Sequence, residues 1–311
     1  MQLTGILPIN KALDMRSTHC VEIVKHIFGK KTRVGHGGTL DSTASGLLLI
    51  LLGSATRLSD FVMDMPKCYE TVVQLGSETS TDDAEGEVIS ERDFSFVTDL
   101  MVEQALYSFT GWRMQKPPRV SAVHVDGQRA HKLARRGEEV EIAAKPVYFA
   151  SIERLGALSA AGQAAFRVRC RKGTYIRSFA RDLGAALGCG AHVCALKRVS
   201  AGPFDVSRCR TSAEIENMDA VSLAEEILPP ESVFASCSSY QADAAVSKRL
   251  LNGQGTTLAC LKRRGFGVYT SSSDTVAVRA EGFLSLCRAE ICGGTLALAP
   301  SVNISDEGSN S

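Results

Sequence analysis

No run of about 18 consecutive apolar residues occurs anywhere in the 311-residue chain, so a membrane span is not expected. The first residues, Met1-Gln2-Leu3-Thr4-Gly5, lack a basic stretch followed by an apolar one, and no secretory signal is expected either. Both absences predict a cytoplasmic protein. There are ten cysteines but no Cys-x-x-Cys pair. Cys189/Cys194 and Cys287/Cys292 are each separated by four residues, without clustered histidines. That argues against a zinc site and predicts free thiols, many of them buried.

Net charge is also scarce, +1 at pH 7, but the total conceals segregation. Arg113 to Arg136 holds seven Lys/Arg against one acid, Asp126, and Arg167 to Asp182 holds six against one. Glu78 to Glu103 holds nine acids against Arg92 alone. Basic stretches folded onto one face would track phosphates; ordinary solvated faces would give the same counts.

What remains is an ordinary globular composition, 44% apolar and 22% charged, with ample material for a large domain and a small one. Thr4 to Ile9, Leu47 to Leu52, Tyr69 to Leu75 and Ala165 to Cys170 read as strands. Ser17 is placed to cap a helix running to Phe28, and Thr98 one running to Phe109. Thr56 to Met63 reads as a short helix, Gln128 to Arg136 as a short basic one, and Arg177 to Leu187 as a third, stopped by Gly188. Helices and strands mix without strict βαβ repetition, which predicts an α+β fold with a largely antiparallel sheet flanked by helices. A boundary falls near Leu228-Pro229-Pro230, giving a region 1–230, a small β-rich domain 231–304 and a disordered polar tail 305–311.

The most informative segment is Gly35-His36-Gly37-Gly38-Thr39-Leu40-Asp41-Ser42. It sets one carboxylate between a glycine-rich turn and a long apolar strand, a way to present a single nucleophile or base. An ordinary capping aspartate would look the same locally. Three further segments follow. They are Lys67-Cys68-Tyr69 with Thr79-Ser80-Thr81-Asp82-Asp83-Ala84-Glu85-Gly86; Gln115-Lys116-Pro117-Pro118-Arg119-Val120-Ser121-Ala122 with Gly127-Gln128-Arg129-Ala130; and Lys172-Gly173-Thr174-Tyr175-Ile176-Arg177-Ser178 with Gly190-Ala191-His192.

In order and spacing these four segments resemble the bacterial TruB-type tRNA pseudouridine synthases, from about Leu3 to Phe204. The resemblance implies a pseudouridine synthase fold, isomerisation of uridine to pseudouridine at position 55 in the T-loop of tRNA, and no metal or organic cofactor. It implies that Asp41 is the essential aspartate, that Arg177 is the arginine paired with it, and that Tyr69 is the active-site tyrosine. His36 corresponds to the histidine that stacks into the opened tRNA loop, and Leu196 to an apolar residue beside the uracil. Lys11 and Tyr175 fall in matching substrate-binding segments. A basic insertion at about 113–145, with Arg129, Lys132 and Arg135, would close over the tRNA arm. Residues 231–304 lie where the family carries a PUA domain. The implied partner is the tRNA T-arm, bound by a monomer without guide RNA, protein partner or membrane.

Ser42 stands where proline usually follows the aspartate, and Ala12 and Arg16 replace a usual proline and threonine near Lys11. Two other readings stay open: an RNA-guided pseudouridine synthase of the archaeal/eukaryotic type, and a tRNA-binding or folding chaperone without catalysis. A carbohydrate-acting hydrolase would want a second carboxylate, which no motif supplies.

Overall fold

The computed structural model describes residues 3–121, 124–125, 128–129, 142–235, 239–257, 260–265, 275–292 and 295–305. In chain order the elements that matter are β1 (Gly5–Lys11), α1 (Ser17–Phe28), β2 (Val34–His36), β3 (Ala44–Leu52), α2 (Ser59–Asp64), β4 (Lys67–Leu75), β5 (Ser77–Thr79), β6 (Val88–Glu91) and α3 (Asp99–Tyr107). There follow β7 (Gly111–Gln115), β8 (His124–Val125), β9 (Gln128–Arg129), β10 (Lys145–Arg154), β11 (Gln163–Cys170), α4 (Ile176–Leu187) and β12 (Ala191–Ala201). The chain divides into two compact units, one of Met1–Asp41, Gly46–Met65 and Ser200–Ser311, the other of Ser42–Ser45 and Pro66–Val199.

In the first unit β1 runs antiparallel to β3, from Gly5 opposite Leu52 to Lys11 opposite Gly46, and β2 pairs with β3 as well. The run Leu47 to Leu52 is buried throughout. That is why it shows no polar alternation: neither face meets water. Leu48, Ile50 and Leu52 share a core with Leu7, Ile9 and the α1 residues Cys20, Ile23 and Val24. Each such leucine stabilises the unit by about 1.5–3 kcal/mol relative to exposure. The same unit carries the glycine-punctuated C-terminal segment as a six-stranded sheet with its own core of Val246, Leu250, Val278, Phe283 and Leu298. The last strand ends at Ser305; the rest of the expected tail lies outside the described residues.

The second unit is an antiparallel sheet ordered β4-β11-β10-β7, with β12 on the other side of β4. Helices α3 and α4 cover one face. Phe179 of α4 is ringed by Phe109, Phe149 and Phe166 at centroid distances of 5.3, 5.8 and 5.7 Å. Gly184 lets α4 lie flat, since a Cβ there would stand 2.2 Å from the Ala191 nitrogen. The helix ends where expected, at Gly188 with φ 80. Mixed helices and mainly antiparallel strands give the α+β class.

Two local expectations are corrected. Gln128–Arg129 is a strand paired with His124–Val125, not the start of a basic helix, and 130–136 lies outside the described residues. Ser17 is not the cap of α1: Arg16 occupies that position without a side-chain cap bond, and Ser17 is the first helical residue. Thr98 does cap α3, accepting the Met101 N–H at 3.3 Å.

Candidate active site

Asp41 ends the glycine-rich turn of the first unit, half-buried, and the chain passes into the second unit at the next residue. The turn is fixed from several sides. Gly37 donates its N–H to Leu49 O at 2.8 Å, and a Cβ on it would meet Val62 Cγ1 at 2.3 Å. Gly38 has φ 113, a conformation that disfavours side chains. Leu40 is held by one buried side chain: its N–H donates to Ser17 Oγ at 2.9 Å, and the Ser17 hydroxyl donates to Leu40 O at 2.8 Å. His36 closes β2 opposite Ile50, half-buried. Lys11 is 0% exposed, and its ammonium donates to Ala12 O at 2.9 Å and Met15 O at 2.7 Å. It ties down the segment that leads into Ser17.

In the second unit Tyr69 on β4 and Leu196 on β12 are both half-buried and border the helix-covered core. Strand β4 is anchored to β12 by Thr71 Oγ1 donating to Ala195 O at 2.9 Å. Tyr175 occupies the N-cap position of α4 without a side-chain cap bond, and Gln115 grips its backbone twice: Tyr175 N–H donates to Oε1 at 2.9 Å and Nε2 donates to Tyr175 O at 3.1 Å. Ser178 Oγ and Arg181 Nη2 both donate to Lys116 O at 2.8 Å. The first turn of α4 is thereby bolted to the end of β7.

Arg177 sits in that turn, 6% exposed. It donates to Thr81 O and Val120 O at 3.1 Å each, and its Nη1 lies 3.4 Å from Asp83 Oδ2. Asp83 is 5% exposed and accepts from Thr81 Oγ1 at 2.5 Å and from the Glu85 N–H at 3.2 Å. Its neighbour Asp82, at φ 60, accepts from Arg181 Nη1 at 2.9 Å. Burial pushes the Asp82 carboxyl above its usual range, against the pull of Arg181 and Arg177. Burial also lifts the Cys170 thiol to about 12, so it stays protonated.

Gln115, Asp82 and Asp83 received no role from the sequence, and Ser17 received only that of a helix cap. A signal existed for the two aspartates: Arg177 and Arg181 are four apart on one helix face, and a doublet of acids is their natural counterpart. The side chain of Arg129 is not described, and Lys132 and Arg135 lie outside the described residues. Among the described residues there is no group of three or more His, Cys, Asp or Glu that could hold a metal ion, and no helix long and apolar enough to cross a membrane.

Residues 25–176 match the TruB family pseudouridylate synthase N-terminal domain, and residues 177–235 match the tRNA pseudouridylate synthase B C-terminal domain. This chain belongs to the TruB family of pseudouridine synthases. The tRNA pseudouridine synthase B of Anaplasma marginale is 43% identical over 82% of the chain and 83% of its own length. That of Paracoccus denitrificans is 41% identical over 81% and 83%. The fold of this TruB-family enzyme is also that of a solved Cbf5–Nop10–Gar1 complex, with TM-score 0.72 and 22% identity over 97% of this chain and 85% of the other. An archaeal box H/ACA Nop10–Cbf5 complex gives TM-score 0.68 at 21% identity over 97% and 86%. At such identities those two define the fold alone.

Proposed function

We propose that this enzyme isomerises uridine to pseudouridine at position 55 in the T-loop of tRNA, with the target base flipped out and Asp41 as the catalytic nucleophile. The observation that carries the reading is Asp41 itself: a half-exposed carboxylate whose preceding residue is pinned by Ser17 through two hydrogen bonds. The names of the relatives support tRNA as the substrate.

In the reaction the bond from C1′ of the ribose to N1 of uracil breaks and a bond from C1′ to C5 forms. The C5 proton leaves and N1 gains one, so the product is an isomer. A carboxylate at Asp41 supplies the nucleophile for the glycosidic break. Tyr69 stacks on the extracted base and assists removal of the C5 proton. Arg177 fills the guanidinium role that the family resemblance implies, and Leu196 packs beside the uracil. Extraction costs a few kcal/mol of unstacking and unpairing. His36, Lys11 and Tyr175 line the RNA side, and Arg129, Lys132 and Arg135 hold phosphates. Residues 231–304 act as a PUA-like RNA-binding domain. The enzyme works as a cytoplasmic monomer, without guide RNA or protein partner. The sequence relatives favour this reading over a guide-dependent one.

Carbodiimide mapping of pseudouridine in treated tRNA tests it. Wild type is expected to convert an isolated T-arm hairpin unaided, and Asp41→Asn to bind tRNA without forming product. Undiminished product from the variant overturns the nucleophile assignment, and a need for added RNA restores the guide-dependent reading.

A further inference from the structure

Among the described residues, strand β7 is the edge of the second unit's sheet, paired with β10. Its outward side chains are Trp112 and Met114, 66% and 60% exposed. Trp112 is the chain's single tryptophan. Across the strand pair Trp112 stands opposite Tyr148, and the two ring centroids are 5.3 Å apart, tilted by 55°. Arg171 completes the cluster. Its backbone N–H donates to Tyr148 O at 3.0 Å, and its guanidinium lies 5.0 Å from the Tyr148 ring centroid and 6.0 Å from that of Trp112.

A large aromatic left this exposed on a sheet edge needs a reason, because exposed apolar edges invite unwanted pairing. The charge around it narrows the choice of occupant. Carboxylates on this face engage other arginines: Glu70 lies 2.7 Å from Arg167, and Glu153 lies 3.9 Å from both Arg167 and Arg169. Among the described residues no carboxylate pairs with Arg171. Arg169 and Arg171 are two residues apart, about 6.6 Å along a strand. A π-face beside the Arg171 guanidinium suits a strand that offers bases and phosphates together.

We propose that Trp112, Tyr148 and Arg171 form a second RNA contact, separate from the residues assigned to chemistry. An unpaired base of the bound RNA stacks on the exposed indole, and the adjoining phosphate meets Arg171. The inference rests on the reading of tRNA as substrate. It adds a contact that neither the four sequence segments nor the roles given above include.

The single tryptophan makes the test direct. Titrating the full-length chain with unmodified tRNA transcript is expected to quench Trp112 emission saturably. In filter binding Trp112→Ala is expected to weaken tRNA affinity about 5- to 150-fold, the range of one base–aromatic stack, and Trp112→Phe to restore most of it. Arg171→Gln is expected to reduce the salt dependence of binding by about one phosphate. Thermal melting of each variant confirms folding. Unchanged emission, with unchanged affinity in a folded Trp112→Ala, overturns the inference, as does a change confined to self-association in sedimentation, which would mark a surface for a second copy. Product formation on the T-arm hairpin separates the two claims: if wild type converts the hairpin while the Trp112 results are negative, only the second contact fails, and if it converts nothing, the substrate reading fails.

Discussion

Ser17 holds Leu40 across 23 residues of sequence by accepting its N–H at 2.9 Å and donating to its carbonyl at 2.8 Å. Both partners are buried, and Leu40 is the residue before Asp41. Ser17→Ala strands two buried backbone groups, at about 1–3 kcal/mol of stability. It also frees the carboxylate's backbone, and a misplacement of about 1 Å can cost on the order of 100-fold in rate. The expected outcome is a lowered melting temperature with kcat falling about 10- to 100-fold and KM changing little. Ser17→Thr, which keeps the hydroxyl, should recover most of the rate. Single-turnover kinetics beside thermal melts check this; a variant that is less stable but fully active would make Ser17 purely structural.

Gln115 does the same for Tyr175 in the second unit, with both ends of one amide. Gln115→Met removes a donor and an acceptor from the start of α4. We expect a loss of about 1–3 kcal/mol in urea denaturation. Faster hydrogen exchange should be confined to the amides of Tyr175 through Ser178. Exchange that rises across the whole helix instead would show that Gln115 supports α4 generally and not its first turn.

Features that depend on neighbours in the chain were legible, and features that depend on distant partners were not. The glycine turn is local: Gly38 needs its φ of 113 whatever surrounds it. The stop of α4 at Gly188 and the Thr98 cap of α3 are local too. Ser17 looked like a cap because serine before a helix usually is one, yet its hydroxyl is drawn to Leu40, a tertiary contact. The strand at Gln128–Arg129 had a local sign that was outweighed by helical spacing: Asp126-Gly127 is a dipeptide that favours tight hairpins. Asp41, Tyr69 and Arg177 stood out through motif order, whereas Asp83 stands out only once Arg177 is seen 3.4 Å away.

That Arg177–Asp83 pair is almost fully buried, so neither partner is replaceable alone. Removing one member of a buried ion pair typically costs about 3–5 kcal/mol, because the other charge stays behind without compensation. Asp83→Leu and Arg177→Met are each expected to destabilise by that order. The double variant should cost clearly less than the sum, since neither member of this pair is left behind without the other. A double-mutant cycle by denaturant unfolding measures the coupling. Additive losses would mean that Thr81 O and Val120 O, not Asp83, hold the guanidinium.

Asp82 sets burial against attraction at one carboxylate. Arg181 lies 2.9 Å away, but it also reaches Asp182 at 2.9 Å and Lys116 O at 2.8 Å, so its pull is divided. Burial is the larger effect, and the folded-state pKa is raised above the ordinary 3.8. The folded protein therefore holds this proton more tightly than the unfolded chain does. The associated stability is fully present below about pH 3.8 and is lost as pH rises through the raised folded value. Unfolding free energies of wild type minus Asp82→Asn should accordingly fall with rising pH above 3.8 and then level off. The subtraction cancels the other carboxylates, which titrate in both proteins. A difference that rises over the same interval would show that the ion pair with Arg181 outweighs burial.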